Sequence, residues 1–143
     1  MPTKTKNTPE EVLLGIDHGD KRIGLAFGRS ELVSPLHVLK DMDDGTAINE
    51  ISRVCKENKV TKIVIGLPLD GEGKETLQSK KVRRFAKMLR IYIKLPQEFV
   101  NESDTTQESM EASLTYGMSG KSGQAIDHIA AAMILKKYIR DQS

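Results

Sequence analysis

The sequence contains few of the residues that build covalently or metal-stapled folds. Cys55 is the single cysteine among 143 residues, which excludes an internal disulfide and a cysteine-based zinc site within the chain. Tryptophan is absent and only 4% of the residues are aromatic, too few and too scattered for a base-stacking platform. Stability must therefore come from the burial of aliphatic side chains.

Long hydrophobic runs are also missing. No stretch approaches the roughly 18 consecutive apolar residues of a membrane span, and the first residues are polar, without an apolar signal core. With 38% hydrophobic and 29% charged residues, the chain has the composition of a soluble globular protein. We expect a flexible tail over 1–11 and one domain over 12–141, located in the cytoplasm and without membrane contact.

The net charge is only +2, but charges of opposite sign are separated along the chain. The segment 74–94 contains eight basic residues and one acid, whereas 98–111 contains five acids and no base. This distribution, rather than the total, raises the possibility of a polyanionic partner.

Short apolar runs predict that the chain begins with a three-stranded meander over 12–17, 23–28 and 32–39. Gly19 can take a positive φ in the first turn, which favours a tight turn there. Pro35 cannot donate to a β-ladder, so the third strand is expected at an edge or at a bulge.

Alternating helices and strands follow the meander. The predicted order is a helix over 46–58, a strand over 62–66, a helix over 76–92, a strand over 97–102, a helix over 105–117 and a helix over 125–140. The last helix is expected to carry one stripe of residues, namely Ile126, Ile129, Ala130, Met133 and Lys137. The pattern predicts an α/β fold with a five-stranded mixed sheet and helices on both faces, with ligands at the carboxyl ends of its parallel strands.

Three acidic residues fall where they can meet at that end of the sheet. Asp17 ends the first strand, Glu102 ends the last, and Asp127 lies in the first turn expected of the last helix. Taken singly, each has an ordinary structural explanation, as a turn residue, a solvated strand end or a helix-capping acid. Their combination favours a shared site.

Three clustered carboxylates need a counter-charge, because neighbouring like charges cannot all stay ionised. Oxygen-only ligands suit Mg²⁺ or Mn²⁺, which retain waters for a phosphate substrate. Two such ions about 4 Å apart can activate a water and stabilise the leaving oxygen in phosphodiester cleavage. The acids therefore predict a divalent-metal site.

Several segments also match a known family in order and spacing. The successive blocks are GIDHGDKRIGLAF, IVIGLPLDG, KVRRFA, VNESDTT and IDHIAAAMILKKYI. The chain, from about Leu13 to Ile139, resembles the YqgF-type, ribonuclease H-like nucleases. That family is described as Holliday junction resolvases and as nucleases that process the precursor of small-subunit ribosomal RNA.

The resemblance implies a ribonuclease H-like fold and places the family's metal-binding acids on the same three carboxylates. It also matches the family's basic pair and threonine pair to Lys21, Arg22, Thr105 and Thr106. The surroundings differ from the family pattern at four places. Asn101 and Ser103 replace an acid and an arginine, Asp20 replaces a threonine, and the basic loop before the last acid keeps only Lys121.

The basic helix adds candidate contacts to a nucleic-acid backbone, at Lys80, Arg84 and Lys87. A solvated outer face would explain the same residues. His18 and His128 each adjoin a candidate ligand and could shuttle protons or bind metal, although such neighbours usually point elsewhere. His37 and Cys55 are interpreted as packing residues.

These observations predict a metal-dependent nuclease acting on RNA or branched DNA, as a monomer or weak homodimer. Precursor ribosomal RNA of the small subunit is the first expected substrate, and a Holliday junction is the alternative. A non-catalytic nucleic-acid or ribosome-associated module with the same fold is a second hypothesis. A nucleotide site like that of sugar kinases or actin ranks last, because such sites need two domains.

Overall fold

A computed structural model describes residues 10–102 and 123–142, with side chains in the last helix from 129 onward. Eight elements follow in chain order: β1 (Val12–His18), β2 (Arg22–Arg29), β3 (Leu32–Lys40), α1 (Asp44–Asn58), β4 (Lys62–Leu67), α2 (Leu77–Tyr92), β5 (Gln97–Asn101) and α3 (Gly123–Gln142). The helix predicted over 105–117 and the tail residues 1–9 lie outside the described residues. Within those residues, no helix is both long and apolar enough to cross a bilayer.

The strands form one mixed sheet in the order β3-β2-β1-β4-β5. The first three pair antiparallel as a meander, while β4 and β5 run parallel to β1. Parallel neighbours need crossover connections, and α2 provides the one between β4 and β5. The predicted five-stranded mixed sheet is therefore confirmed.

Each face of the sheet has its own apolar core. One core joins the sheet to α1 and α2 and includes Ile51, Phe85 and Leu89, as their helical spacing predicted. The other joins it to α3 and includes Val64, Ile134 and Leu135. Helices cover both faces, as expected from strands that are apolar on both sides.

Of the two local predictions for the meander, the one for Pro35 is confirmed and the one for Gly19 is wrong. β3 is an edge strand, and its register with β2 shifts where Ala26 pairs with Pro35, so the expectation for Pro35 is confirmed. The prediction for Gly19 is wrong. Among the described glycines, Gly73 has a positive φ and Gly19 does not. Gly19 is instead required for space, because a Cβ there would lie 2.9 Å from the carbonyl oxygen of Arg22.

The buried side of α3 also differs from the predicted stripe. Ile129 of the predicted stripe is buried, but Met133 is only half-buried, and the other buried residues lie off the stripe, namely Ala131, Ala132, Ile134, Leu135 and Tyr138. Nearly every residue in the middle of this helix is apolar, so periodicity could not select its buried side. The helix also begins two residues earlier than predicted, which places Asp127 in its second turn.

Candidate active site

Strand alternation determines which side chains meet at the carboxyl end of the sheet. Along β1, Leu13 belongs to the α3-side core, while Leu14 and Ile16 belong to the opposite core. Successive residues of a strand point to opposite faces, so Asp17 faces the α3 side and His18 faces α2. On β5, Val100 packs on the α3 side, and Glu102 follows it by two residues.

Asp17 and Glu102 come together at this edge. A hydrogen bond joins their carboxyl groups, and burial together with the Asp17 charge raises the pKa of Glu102 to about 9. The protonated Glu102 carboxyl therefore donates to the Asp17 carboxylate when no cation is present. As predicted, the ends of the first and last strands bring Asp17 and Glu102 into contact.

Gly66 creates the space between these carboxyls and α3. It lies on β4, between β1 and β5, and pairs in register with Val100. A Cβ at Gly66 would lie 3.0 Å from Oε2 of Glu102 and would overlap Ile134. Sequence reasoning missed this glycine, although a glycine inside an apolar strand is a known sign of close approach by another group.

Two further hydrogen bonds hold the end of β5 in place. The backbone N–H of Glu102 donates to the carbonyl of Leu67 over 3.1 Å. The Lys137 ammonium on α3 donates to the carbonyl of Asn101 over 2.8 Å. Sequence reasoning placed Lys137 on a stripe of the helix but assigned it no role at the site. Both bonds restrict the backbone that carries the Glu102 carboxyl.

The third acid is described only by its backbone. Asp127 lies within α3, and its side chain, like that of His128, is outside the described residues. Thr105 and Thr106 lie outside them altogether. Among the described side chains, no group of three or more histidine, cysteine or acidic residues is arranged to hold a metal ion. The described site is therefore a pair of carboxyls.

The predicted basic contacts fall into two places. Lys21 and Arg22 are exposed at the turn between β1 and β2, next to the carboxyl end of the sheet. Lys80, Arg84 and Lys87 are exposed along α2, and the structure shows no ion pair for them among the described residues. The side chains of Lys80, Arg84 and Lys87 are therefore available to bind a ligand from solvent.

Other cations of α2 have partners within the protein. Both oxygens of Glu75 accept hydrogen bonds from Arg83 at 2.9 Å, and Arg83 also lies 5.2 Å from the centre of the Phe99 ring. The Lys81 ammonium pairs with Asp20 at 3.2 Å. The basic helix thus contains both structural and unpaired cations, a distinction that sequence spacing did not show.

The remaining candidates, Cys55, His37 and His18, are buried or half-buried. Burial raises the pKa of the Cys55 thiol to about 11, which keeps it protonated and unreactive. His37 is half-buried on β3. The His18 ring packs on Phe85 with 4.4 Å between centroids, and burial lowers its pKa. His18 therefore faces away from the carboxyl pair.

The carboxyl pair makes stability depend on pH. In EDTA, we expect the free energy of unfolding to fall as pH rises from 7 to 8.5. The folded state holds a proton on Glu102 up to about pH 9, whereas the unfolded state releases it near its ordinary pKa of 4.5. The slope reaches at most about 1.4 kcal/mol per pH unit.

Urea unfolding of the wild type and of Glu102→Gln at pH 7.0 and 8.5 measures this effect. The variant should lose less stability over the interval. His18, whose folded pKa is lowered, acts in the opposite direction, but that contribution is complete above about pH 6.5. Equal pH slopes for the two proteins would refute the shared-proton interpretation.

Comparison with known families gives a consistent result. A family model described as "RuvX: Holliday junction resolvase" matches residues 11–141. A protein of Prochlorococcus marinus (strain MIT 9313) named "Putative pre-16S rRNA nuclease" is 34% identical over 142 residues, covering 97% of this chain and 85% of that protein. One of the same name from Bordetella pertussis is 34% identical over 133 residues, covering 92% and 95%.

Solved structures agree on the fold. The Thermus thermophilus RuvC in complex with a Holliday junction substrate aligns with a TM-score of 0.62 at 16% identity, covering 93% of this chain and 97% of that chain. The fowlpox virus Holliday junction resolvase aligns with a TM-score of 0.58 at 11% identity, covering 91% and 99%. At these identities the likeness establishes the ribonuclease H-like fold alone.

Proposed function

Since the chain belongs to the RuvX family of Holliday junction resolvases, it is a nuclease, and we propose that it hydrolyses phosphodiester bonds of precursor ribosomal RNA with divalent cations held by Asp17, Glu102 and Asp127. The observation that carries this assignment is the meeting of Asp17 and Glu102 at the carboxyl end of the sheet. Metal-dependent nuclease chemistry uses such a cluster of hard oxygen ligands.

The donor set fits Mg²⁺ or Mn²⁺. Two carboxyls that share a proton when no cation is present become two carboxylates once a divalent ion supplies the counter-charge. When bound, such cations lower the pKa of water and stabilise charge on a leaving oxygen. Without a cation the pair therefore carries one negative charge, and a bound divalent ion would allow both carboxyls to be ionised.

Asp127 is the proposed third ligand, and its position in α3 supports the proposal. Position 127 lies one helical turn before Ala131 and about two turns before Ile134. Those residues are buried against the sheet, where the backbone of Ala131 lies close to Gly15 and Ile134 lies close to Gly66. The backbone of α3 at 127 therefore continues the face that packs beside Asp17 and Glu102.

The protein's own residues have separate tasks in this proposal. The hydrogen bonds at Leu67 and Asn101 hold Glu102 in place, so its carboxylate is oriented before substrate binds. Lys21 and Arg22, exposed at the turn that follows β1, contact phosphates of the bound strand in this proposal. The unpaired cations of α2 extend this contact along the strand.

Lys87 provides a test of the backbone contact. Lys87→Ala should reduce the slope of log binding constant against log salt by about 1 and weaken binding equally for all sequences. The matched control is Arg53→Ala on α1, because that guanidinium is already bonded to Glu50 and Glu57. Fluorescence anisotropy in EDTA at several salt concentrations measures both slopes, and an unchanged slope for Lys87→Ala would remove α2 from the interface.

Ribosomal RNA precursor is proposed first because the similar proteins of Prochlorococcus and Bordetella carry that name. The family description and the similarity in fold to RuvC favour a four-way DNA junction as the second candidate. Purified protein with Mg²⁺ or Mn²⁺, assayed against precursor transcripts and four-way junctions, tests both. Cleavage of precursor alone supports the first, and cleavage of junctions alone supports the second. Salt-dependent binding without cleavage at any divalent concentration would indicate a non-catalytic module.

A further inference from the structure

A second concave surface lies at the same end of β1, on the opposite face of the sheet from the carboxyl pair. It is a cleft of about 210 Å³ between the β1–β2 turn, the end of β3, the start of α1 and the outer side of α2. Its apolar part consists of Met42, which is 38% exposed, and of the core residues Ile23 and Leu39 beneath it, which are 6% and 3% exposed. This size and lining exceed what a bound water or ion needs.

The walls of the cleft carry charges of both signs. Lys21 and Arg84 line it, and their side chains have no ion pair among the described residues. Lys81 also lines it, but its ammonium is held by Asp20 at 3.2 Å. Asp44, in the first turn of α1, adds a carboxylate with no hydrogen-bond partner within the described part of the chain.

His18 supplies an aromatic ring and an unsatisfied polar atom. The ring lines the cleft and packs on Phe85. Its Nδ1 is buried and has no hydrogen-bond partner among the described residues. Buried polar atoms in folded proteins almost always have a partner, so this nitrogen next to the cleft is unusual.

We propose that this cleft holds the base and phosphate of one unpaired nucleotide of the substrate strand, an inference that rests on the proposed nuclease function. Lys21 and Arg84 supply the charge-assisted hydrogen bonds that a phosphate requires. Met42, the exposed apolar side chain of the cleft, contacts the face of the base. The Asp44 carboxylate accepts a hydrogen bond from an exocyclic amino group.

The location connects this cleft to the reaction. Asp17 and His18 are consecutive residues that point to opposite faces of the sheet, so the carboxyl pair and the cleft flank the same strand end. In this proposal, a strand held at Asp17 and Glu102 crosses the end of β1 and reaches the cleft. A base can enter only if it is unpaired, because a paired base has its hydrogen-bonding edge occupied inside the duplex.

Asp44 also predicts which bases are preferred. Cytosine carries an exocyclic amino donor, whereas uracil presents a carbonyl oxygen at the same position, which a carboxylate would repel. A contact of this kind distinguishes bases by about 1–3 kcal/mol, which corresponds to a preference of roughly 5- to 150-fold. We expect the cleft to select cytosine over uracil by about tenfold.

Binding without cleavage tests the proposal. Fluorescein-labelled single-stranded C12 and U12 RNA are titrated with protein in EDTA, and anisotropy reports the dissociation constants. The wild type should bind C12 about tenfold more tightly than U12. Asp44→Ala should reduce the ratio to near 1, while Arg84→Ala should weaken both probes and keep the ratio. Lys56→Ala, at the opposite end of α1, removes the same charge as Arg84→Ala outside the cleft and should leave both dissociation constants near their wild-type values.

A second measurement locates the ligand. The Met42 methyl NMR signal should shift on addition of C12, whereas the signal of Met88, which lies outside this cleft on α2, should not. A C-rich hairpin whose cytosines are all paired should leave Met42 unchanged. If cytidine monophosphate bound as tightly as C12, the cleft would be a site for free nucleotides, and this result would overturn the proposal.

The outcomes separate this inference from the nuclease assignment. Equal binding of C12 and U12, an unchanged ratio in Asp44→Ala, or an unshifted Met42 signal would overturn the cleft assignment, even if the protein cleaves RNA. Selective C12 binding with the predicted variant effects would support the cleft. If that protein never cleaved RNA or DNA with any divalent ion, the nuclease proposal alone would fail.

Discussion

Asp17→Asn should lower divalent-dependent cleavage by about a thousandfold while the protein stays folded. The substitution keeps the shape of the side chain but removes one negative charge from the pair that is proposed to hold the cation. Loss of a metal ligand removes several kcal/mol of transition-state stabilisation, and each 1.36 kcal/mol corresponds to a factor of ten in rate. The measurement is single-turnover cleavage of whichever panel substrate the wild type cleaves.

The folded state of this variant should be at least as stable as the wild type at pH 8 in EDTA, because the charge that helps raise the pKa of Glu102 is gone. Asp41→Asn is the matched control, since it makes the same chemical change at an exposed site. Asp41 has φ 54, a conformation that asparagine tolerates. Wild-type cleavage rates in Asp17→Asn would end the assignment of this carboxyl to the active site.

Gly66→Ala should impair both stability and catalysis. A Cβ at this position overlaps the Ile134 side chain and lies 3.0 Å from Oε2 of Glu102, so that side chain and the carboxyl must both shift. Overpacking of this kind costs about 1–3 kcal/mol of folding free energy. A displacement of the order of 1 Å at a catalytic group can cost about a hundredfold in rate. Urea unfolding and single-turnover cleavage measure the two effects.

Two other glycines on the same face of the sheet provide controls. A Cβ at Gly15 would meet Leu135 and the backbone of Ala131, at 2.6 and 2.9 Å, without contacting Glu102. Gly15→Ala should therefore lose stability with a smaller effect on rate. A Cβ at Gly28 would have ordinary contacts of 3.4 Å or more, so Gly28→Ala should affect neither. If Gly15→Ala and Gly66→Ala lowered the rate equally, the loss would result from displacement of α3 and not from a direct contact with Glu102.

The local elements were predictable because they depend on short-range patterns. The apolar run of β4 and the spacing of Ile48, Ile51 and Val54 in α1 indicated a buried strand and an amphipathic helix, and both are present. The Thr76 hydroxyl caps α2 at the predicted start. The mixed character of the sheet followed from the meander and from the rule that parallel strands need crossovers, whereas the strand order β3-β2-β1-β4-β5 was not predicted.

Other features could not be predicted, because they depend on contacts between distant segments. The pairing of Arg83 with Glu75, eight residues earlier, and its stacking on Phe99 of β5 separate it from the unpaired cations of the same helix. The buried side of α3 depends on which of its apolar residues meet Gly15 and Gly66. No periodicity within α3 contains that information.

By itself, the sequence determined the family and the α/β architecture, and it proposed the three acids, since these follow from motif order, hydrophobic periodicity and residue type. Only the tertiary structure decided that Asp17 and Glu102 share a proton, that Gly66 makes room for them, and that His18 faces a separate cleft. The physical reason is that burial and charge interaction depend on distances in space. Those distances exist only once β1, β4 and β5 lie side by side.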